Sequence, residues 1–284
     1  MLAKCDALDG ATDGLIQDAA ACQAAFNLAT EVPTCSGAQD GTCLNAAQKT
    51  AVAATFKGPT SSAGAPVYAN RPFDSGHGGA GIAFWDFTVP LVLDPRTVVI
   101  IFKVPPEAAT GFNGSAFALA VNIDTLVAQI NAIGASYGES AMSFMTPPKP
   151  TEMQGLKYRG AKMMIYHGNS DPIFSVNDTV ALVNGLNNAN GGDAGAFVRL
   201  FRVPDMRHCS GGPATDQFDM ITPLVAWVEK EGDTCQRDGH RARRGQCRRR
   251  EHRLAVQLGR WPQPPSVRLP QACTAQRLGQ RGCG

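Results

Sequence analysis

Lys162-Met163-Met164-Ile165-Tyr166-His167-Gly168-Asn169-Ser170-Asp171-Pro172 is the stretch on which the fold turns. Lys162 to Tyr166 is a short apolar run and predicts a strand, and the turn-forming residues behind it predict a loop. Downstream, Ser175 to Leu186 reads as a helix, with Val176, Val180, Val183 and Leu186 near one face. Phe197 to Val203 is a second apolar run, interrupted only by Arg199 and Arg202, and predicts a strand. Asp216 is a good N-cap for a further helix with Phe218, Ile221, Leu224, Val225 and Val228 as its apolar stripe. The order strand–helix–strand–helix implies parallel strands in an α/β layer.

Loops at the C-terminal ends of parallel strands are where α/β enzymes place their chemistry. Asp171 lies just past the first predicted strand and His208 just past the second. An α/β-hydrolase uses the chain order Ser, acid, His, and this acid and His obey it with one helix between them. The chemistry needs an imidazole as base toward the nucleophile and a carboxylate to orient that imidazole. On position alone, a turn-forming Asp and a surface His explain the same residues equally well.

Working toward the N-terminus, Pro147, Pro148 and Pro150 mark a boundary. Before it, short helical pieces are expected at 17–29 and 45–56, a helix at Asn122 to Ile133, and a loop from Gly58 to Pro72. Pro90 to Val104 is expected to contribute a strand, with Val98 to Phe102 buried. Phe73 to Phe87 reads as a loop packed by aromatics. Its Phe84, Trp85 and Phe87 suit an aromatic-substrate pocket, although such residues more often build plain core. Gly134-Ala135-Ser136-Tyr137-Gly138 matches G-x-S-x-G, but a helical pattern precedes it where a nucleophile elbow needs a strand.

The net charge of +2 hides a split, since residues 233–284 hold twelve Arg, no Lys and three acids, a net of +9, against −7 for 1–232. This tail has no period. Composition allows a basic nucleic-acid arm, a disordered solvated tail or a stretch translated out of frame, and favours the last. No run approaches the roughly 18–20 apolar residues of a membrane span, and the first residues do not form a signal peptide. Among nine Cys, residues 5, 22, 35 and 43 are closely spaced, which suggests disulfides and an oxidising compartment, with buried free thiols as the alternative. Asp6, Asp9 and Asp13 lie in one Gly-containing loop. Such hard oxygen ligands suit Ca²⁺, in a pattern that is not an EF-hand, although an Asp/Gly turn accounts for them too.

Lys162 to Gly232 resembles the C-terminal part of the tannase/feruloyl esterase family. The resemblance rests on Tyr-His-Gly-x-x-Asp-Pro at 166–172 and Val-Pro-x-Met-x-His-Cys-x-Gly-Gly-Pro at 203–213, continued by Asp216-Gln217-Phe218-Asp219. It extends less tightly back to residue 3 and is absent after about 232. It implies that Asp171 and His208 are the acid and base of a Ser–Asp–His triad. It implies a structural Ca²⁺ held by the side chains of Asp6, Asp9 and Asp13 and the carbonyls of Ala11 and Leu15. It further implies the pairs Cys5–Cys22 and Cys35–Cys43, and a Cys209 that bonds to a Cys beside the nucleophile. The family's nucleophile stretch, Gly-Cys-Ser-x-Gly-Gly, does not occur in these residues. The expectation is therefore a partial α/β-hydrolase core at 151–232 after a disulfide- and calcium-stabilised lid at 1–150. The implied protein is a secreted or periplasmic esterase for a small aromatic ester, truncated and lacking its serine, with no membrane or nucleic-acid partner. The competing reading is a non-catalytic calcium-binding fragment, and a more distant one is nucleic-acid binding through the tail.

Overall fold

Short polar side chains open most of the helices, because an Asn, Asp or Ser oxygen takes a backbone N–H that the first turn leaves unpaired. The computed structural model describes residues 1–37, 41–79 and 81–236, the last seven as backbone only. Asp18 accepts from Ala21 N to open α1 (Ala19–Ala25). Asn45 and Gln48 form a reciprocal capping box at the start of α2 (Ala46–Lys57). Asn113 and Asn122 open α3 (Gly114–Ala120) and α4 (Ile123–Ile130). The short helical pieces expected at 17–29 are α1 and Leu28–Glu31, parted where Phe26 and Asn27 are extended.

The strand expected within 90–104 is not formed, and Val98–Phe102 is a π-helical turn. Pro90 and Pro95 each sit in the first turn of a short helix, Val89–Val92 and Asp94–Thr97. A missing N–H is no loss there. The chain reaches Val98 already helical, with φ −62° and ψ −48°, and the β-branched run continues the coil. Only Val99 of that run is buried, and Ile101 is 60% exposed.

The first core gathers around the Cys5–Cys22 disulfide, which packs with Ile16 and Phe26. Phe73 stands edge-on to both Phe26 and Phe56, with ring centroids 5.6 and 4.9 Å away. Cys35–Cys43 is the second bridge. In the chain-entropy picture a crosslink closing a loop like that of Cys5–Cys22 is worth about 3 kcal/mol.

β1 (Met163–Gly168) leads through α5 (Val176–Ala189) to β2 (Val198–Val203), and the two strands pair in parallel with Ile165 opposite Leu200 and Gly168 opposite Val203. These are the only strands of a sheet among the described residues. Leu182, Val183 and Leu186 of α5 pack on Met163, Ile165 and Val198. The parallel βαβ unit expected from the sequence is therefore present. The chain divides into two compact units, Met1–Met220 and Ile221–Gly284, the second opening with α6 (Ile221–Gln236). The helix of the last stripe starts at Ile221, later than Asp216 would cap it. Asp216 instead accepts from Gly211 N at 2.6 Å and closes the loop after β2. The basic tail lies outside the described residues from 237 on.

Gly168 ends β1 where the backbone of Met206 crosses it. A Cβ there would stand 2.1 Å from the Met206 carbonyl oxygen. Gly168→Ala should therefore destabilise the chain by about 1–3 kcal/mol, the usual cost of overpacking, read as a lower urea midpoint at unchanged slope. An unchanged midpoint would show that the two loops need no such approach.

Candidate active site

The ends of β1 and β2 carry the two singled-out residues into one place. Asn169 N donates to Val203 O at 2.9 Å and Ser170 N to Met206 O at 3.0 Å, so the two loops continue the strand pairing past the sheet. Asp171 then turns the chain. Its Oδ1 accepts from Ile173 N at 2.8 Å and Phe174 N at 3.0 Å, the local bonding that suits Asp to such turns. Ser175 follows as the N-cap of α5.

Asp171 Oδ2 faces His208, whose Nδ1 lies 2.9 Å away. The carboxylate is 4% exposed and the imidazole 39%. With Nδ1 held by Asp171, Nε2 is the ring nitrogen left for proton transfer. A second imidazole reaches the same oxygen, His167 Nε2 at 3.2 Å. Burial alone would raise the Asp171 pKa, but hydrogen bonds from His167, the Phe174 amide, His208 and the Ile173 amide outweigh it and hold the carboxyl at about 2. Asp171 is therefore a fixed negative charge, as an orienting carboxylate must be. Phe174, 54% exposed, places its ring 5.6 Å from that of His208.

Several residues behind this pair come from the first half of the chain and carried no signal in the sequence. Arg71 donates to the carbonyls of Asp171 and Pro172 and pairs with Asp86 at 3.4 Å. Burial raises the Asp86 pKa against the pull of Arg71. His77 is pushed down to about 4, first by burial and then by the Arg71 charge. Asp74 and Asp205 are each 1% exposed. Asp74 accepts from Ser170 Oγ and from Asp205 N, and Asp205 Oδ1 accepts from Ser75 Oγ and Gly76 N, both at 2.7 Å. Burial, then the hydrogen bond and charge of Asp74, raise Asp205 to about 7. Asp205 also has a φ of +58°, a left-handed conformation that its hydrogen bonds hold in place.

The other expected residues fall elsewhere. Cys5–Cys22 and Cys35–Cys43 are bonded, and Cys209 is a free, exposed thiol with φ +63°. Phe84, Trp85 and Phe87 are 52, 36 and 61% exposed, so the plain-core reading of them does not hold. Ser136 sits in a tight turn closed by paired bonds between Gly134 and Tyr137, with α4 and no strand before it. Asp6 and Asp9 begin and end a 3-10 turn, Asp13 lies in the loop after it, and the three accept the amides of Asp13, Gly14, Ala11, Gln17 and Leu15. An N–H leaves a carboxylate further lone pairs, so the donors suit a hard cation in kind. Among the described residues, however, no three His, Cys, Asp or Glu side chains converge closely enough to hold a metal ion.

The Asp205 pair supplies a pH test. The unfolded carboxyl loses its proton near 3.8 and the folded one near 7. Stability from this group is therefore full below the lower value and is lost as pH rises to the upper one. Asp205→Asn keeps a neutral hydrogen-bonding group there and escapes that loss. Asp171 keeps its hydrogen bonds in both proteins, and His77, whose pKa the Asp205 charge raises, moves only further down in the variant, away from this window. The melting temperature of the variant relative to the native chain should rise between about pH 4 and 7. A constant difference would mean that Asp205 holds no extra proton.

The chain matches the family model described as "Tannase and feruloyl esterase" over residues 1–275, past the boundary at 232 drawn from the sequence. It is 37% identical over 254 residues to mono(2-hydroxyethyl) terephthalate hydrolase of Piscinibacter sakaiensis, covering 81% of this chain and 42% of that protein. It is 24% identical over 248 residues to a probable feruloyl esterase B of Aspergillus niger, covering 80% and 42%. The crystal structure of an esterase from Aspergillus oryzae aligns with a TM-score of 0.48 at 22% identity, over 81% of this chain and 44% of that one. The chain thus spans less than half the length of these relatives.

Proposed function

The chain belongs to the tannase and feruloyl esterase family, and from that premise we propose that it carries the acid–base half of a serine carboxylic-ester hydrolase acting on esters of aromatic acids. The observation that carries this reading is the 2.9 Å contact of His208 Nδ1 with the buried Asp171 carboxylate, on loops that follow neighbouring parallel strands. His208 Nε2 takes the proton of the serine as it attacks the ester carbonyl and returns it to the leaving alcohol, and Asp171 stabilises the imidazolium in between. Water then releases the acid from the acyl-enzyme by the same route. The serine belongs to a Gly-Cys-Ser-x-Gly-Gly stretch outside these residues, whose Cys pairs with Cys209. Phe174, exposed beside His208, suits an aromatic acyl group.

The same proposal takes 1–150 as the lid and 151–232 as the C-terminal part of an α/β-hydrolase core, supported by the parallel βαβ unit. Two disulfides suit an oxidising compartment. No helix among the described residues is long and apolar enough to cross a membrane. Ca²⁺ enters on the donor set of Asp6, Asp9, Asp13 and the Ala11 and Leu15 carbonyls alone, as a clamp on the N-terminal loop.

A chromogenic aryl ester tests the reading, with the chain as given and with the coding sequence upstream of Met1 included. Hydrolysis should occur in the extended protein only, and Asp171→Asn or His208→Ala should lower kcat by about 10³-fold or more. Hydrolysis that survives His208→Ala overturns the assignment. For calcium, chelation should lower the melting temperature, and flat calorimetry with unchanged melting removes the ion from the proposal. Calcium binding with no hydrolysis in either form would select the non-catalytic reading.

A further inference from the structure

His167 is the second imidazole on the Asp171 carboxylate, and its hydrogen bonds determine where its proton lies. Its side chain is 15% exposed at the end of β1. Nε2 lies 3.1 Å from the Phe174 carbonyl oxygen and 3.2 Å from Asp171 Oδ2. Both partners are acceptors without a hydrogen, the carboxyl being ionised, so Nε2 must carry the proton. Nδ1 lies 2.9 Å from Thr179 Oγ1, a hydroxyl that can donate. Thr179 sits in the first turns of α5, whose N-cap Ser175 also anchors to Asn70 O at 2.5 Å. The hydroxyl is thereby presented to Nδ1 by a helix tied at its start.

We propose that His167 is a positioning residue for the Asp171–His208 pair, held by Thr179 as the Nε2–H tautomer so that Asp171 Oδ2 accepts from two imidazoles at once. This rests on the reading of Asp171 and His208 as acid and base. Asp171 Oδ1 is already occupied by two backbone amides, so the carboxylate is held at both ends. His208 then meets an acceptor that neither rotates nor takes up a proton, and its own Nδ1–H points one way. The device resembles the outer partners of metal-bound histidines, where the group behind a ligand sets its tautomer and orientation. Here the outer partner is a threonine acting on a histidine that acts on the acid.

The tautomer can be read directly. The chain holds five His, and ¹⁵N-labelled histidine with two-bond ¹H–¹⁵N spectra at a pH where His167 is neutral reports which ring nitrogen bears hydrogen. His167 should show a protonated Nε2 and an acceptor-type Nδ1, and His208 a protonated, hydrogen-bonded Nδ1. Thr179→Val removes the hydroxyl at nearly constant shape. Nε2, still facing Asp171 and the Phe174 carbonyl, should keep its proton while the unanchored ring loosens, seen as a His167 Nδ1 signal that loses its hydrogen-bond shift and a His208 Nδ1 proton that moves upfield, and Thr179→Ser should restore both. In the extended protein with its serine, Thr179→Val should lower kcat about tenfold with KM within about twofold. A protonated Nδ1 on native His167 overturns the proposal, as does a His208 signal that ignores Thr179→Val. A native His208 without a hydrogen-bonded Nδ1 proton would instead remove the acid–base assignment, whatever the state of His167, so the two failures are separable.

Discussion

A charge taken out of water must be met by hydrogen bonds, and Asp171 is the charge around which this structure is arranged. Its carboxylate is 4% exposed and stays ionised because four N–H groups point at it. Two are amides of its own turn, which need Pro172 and the start of α5 directly behind it. Two are imidazoles, one from the end of β1 and one from the loop after β2, which need the strands to pair in parallel in the observed register. A slip of one residue in β1 would send His167 to the opposite face of the sheet. Backbone, sheet register and the site's electrostatics are thus one requirement seen at three scales.

That requirement explains what the sequence disclosed. The βαβ unit was legible because its apolar runs are short, its turns are marked by Gly, Asn, Ser and Pro, and Ser175 caps the helix. Asp171 and His208 were legible because strand ends point at them. Their pairing and the disulfide partners came through resemblance, since spacing alone left other arrangements open. The run Val98 to Phe102 misled because a five-residue apolar stretch has no readable period, and the flanking prolines acted as helix starters rather than breakers. The aromatics at 84, 85 and 87 misled because hydrophobic character predicts burial only one way.

What stayed hidden is the support behind the site. Asp74 meets Asp205 and Arg71 meets Asp171 across sequence separations of 131 and 100 residues. No local pattern marks such partners, and each reads as an ordinary loop residue until the fold is known. They matter physically because they join the first half of the chain to the loops that hold Asp171 and His208. Two buried carboxyls side by side cannot both be charged without a large penalty, so holding one proton between them is the natural solution. Arg71 places its positive group on carbonyls just beyond the acid, where it stiffens the turn without competing for the carboxylate.

Among the described residues both disulfides lie within the first 43, and the loops that hold Asp171 and His208 contain none. The two ends of the fold therefore answer to different chemical potentials. Electrons govern the integrity of the N-terminal end, and protons govern the loops that hold Asp171 and His208. A reductant would act first on the Cys5–Cys22 core, whereas protons act on the two loops in opposite senses, since acid fills the proton site of Asp205 and removes the charge of Asp171. The two ends are nonetheless tied, because Arg71 and Asp74 reach from the first half of the chain to the loops of Asp171 and Asp205.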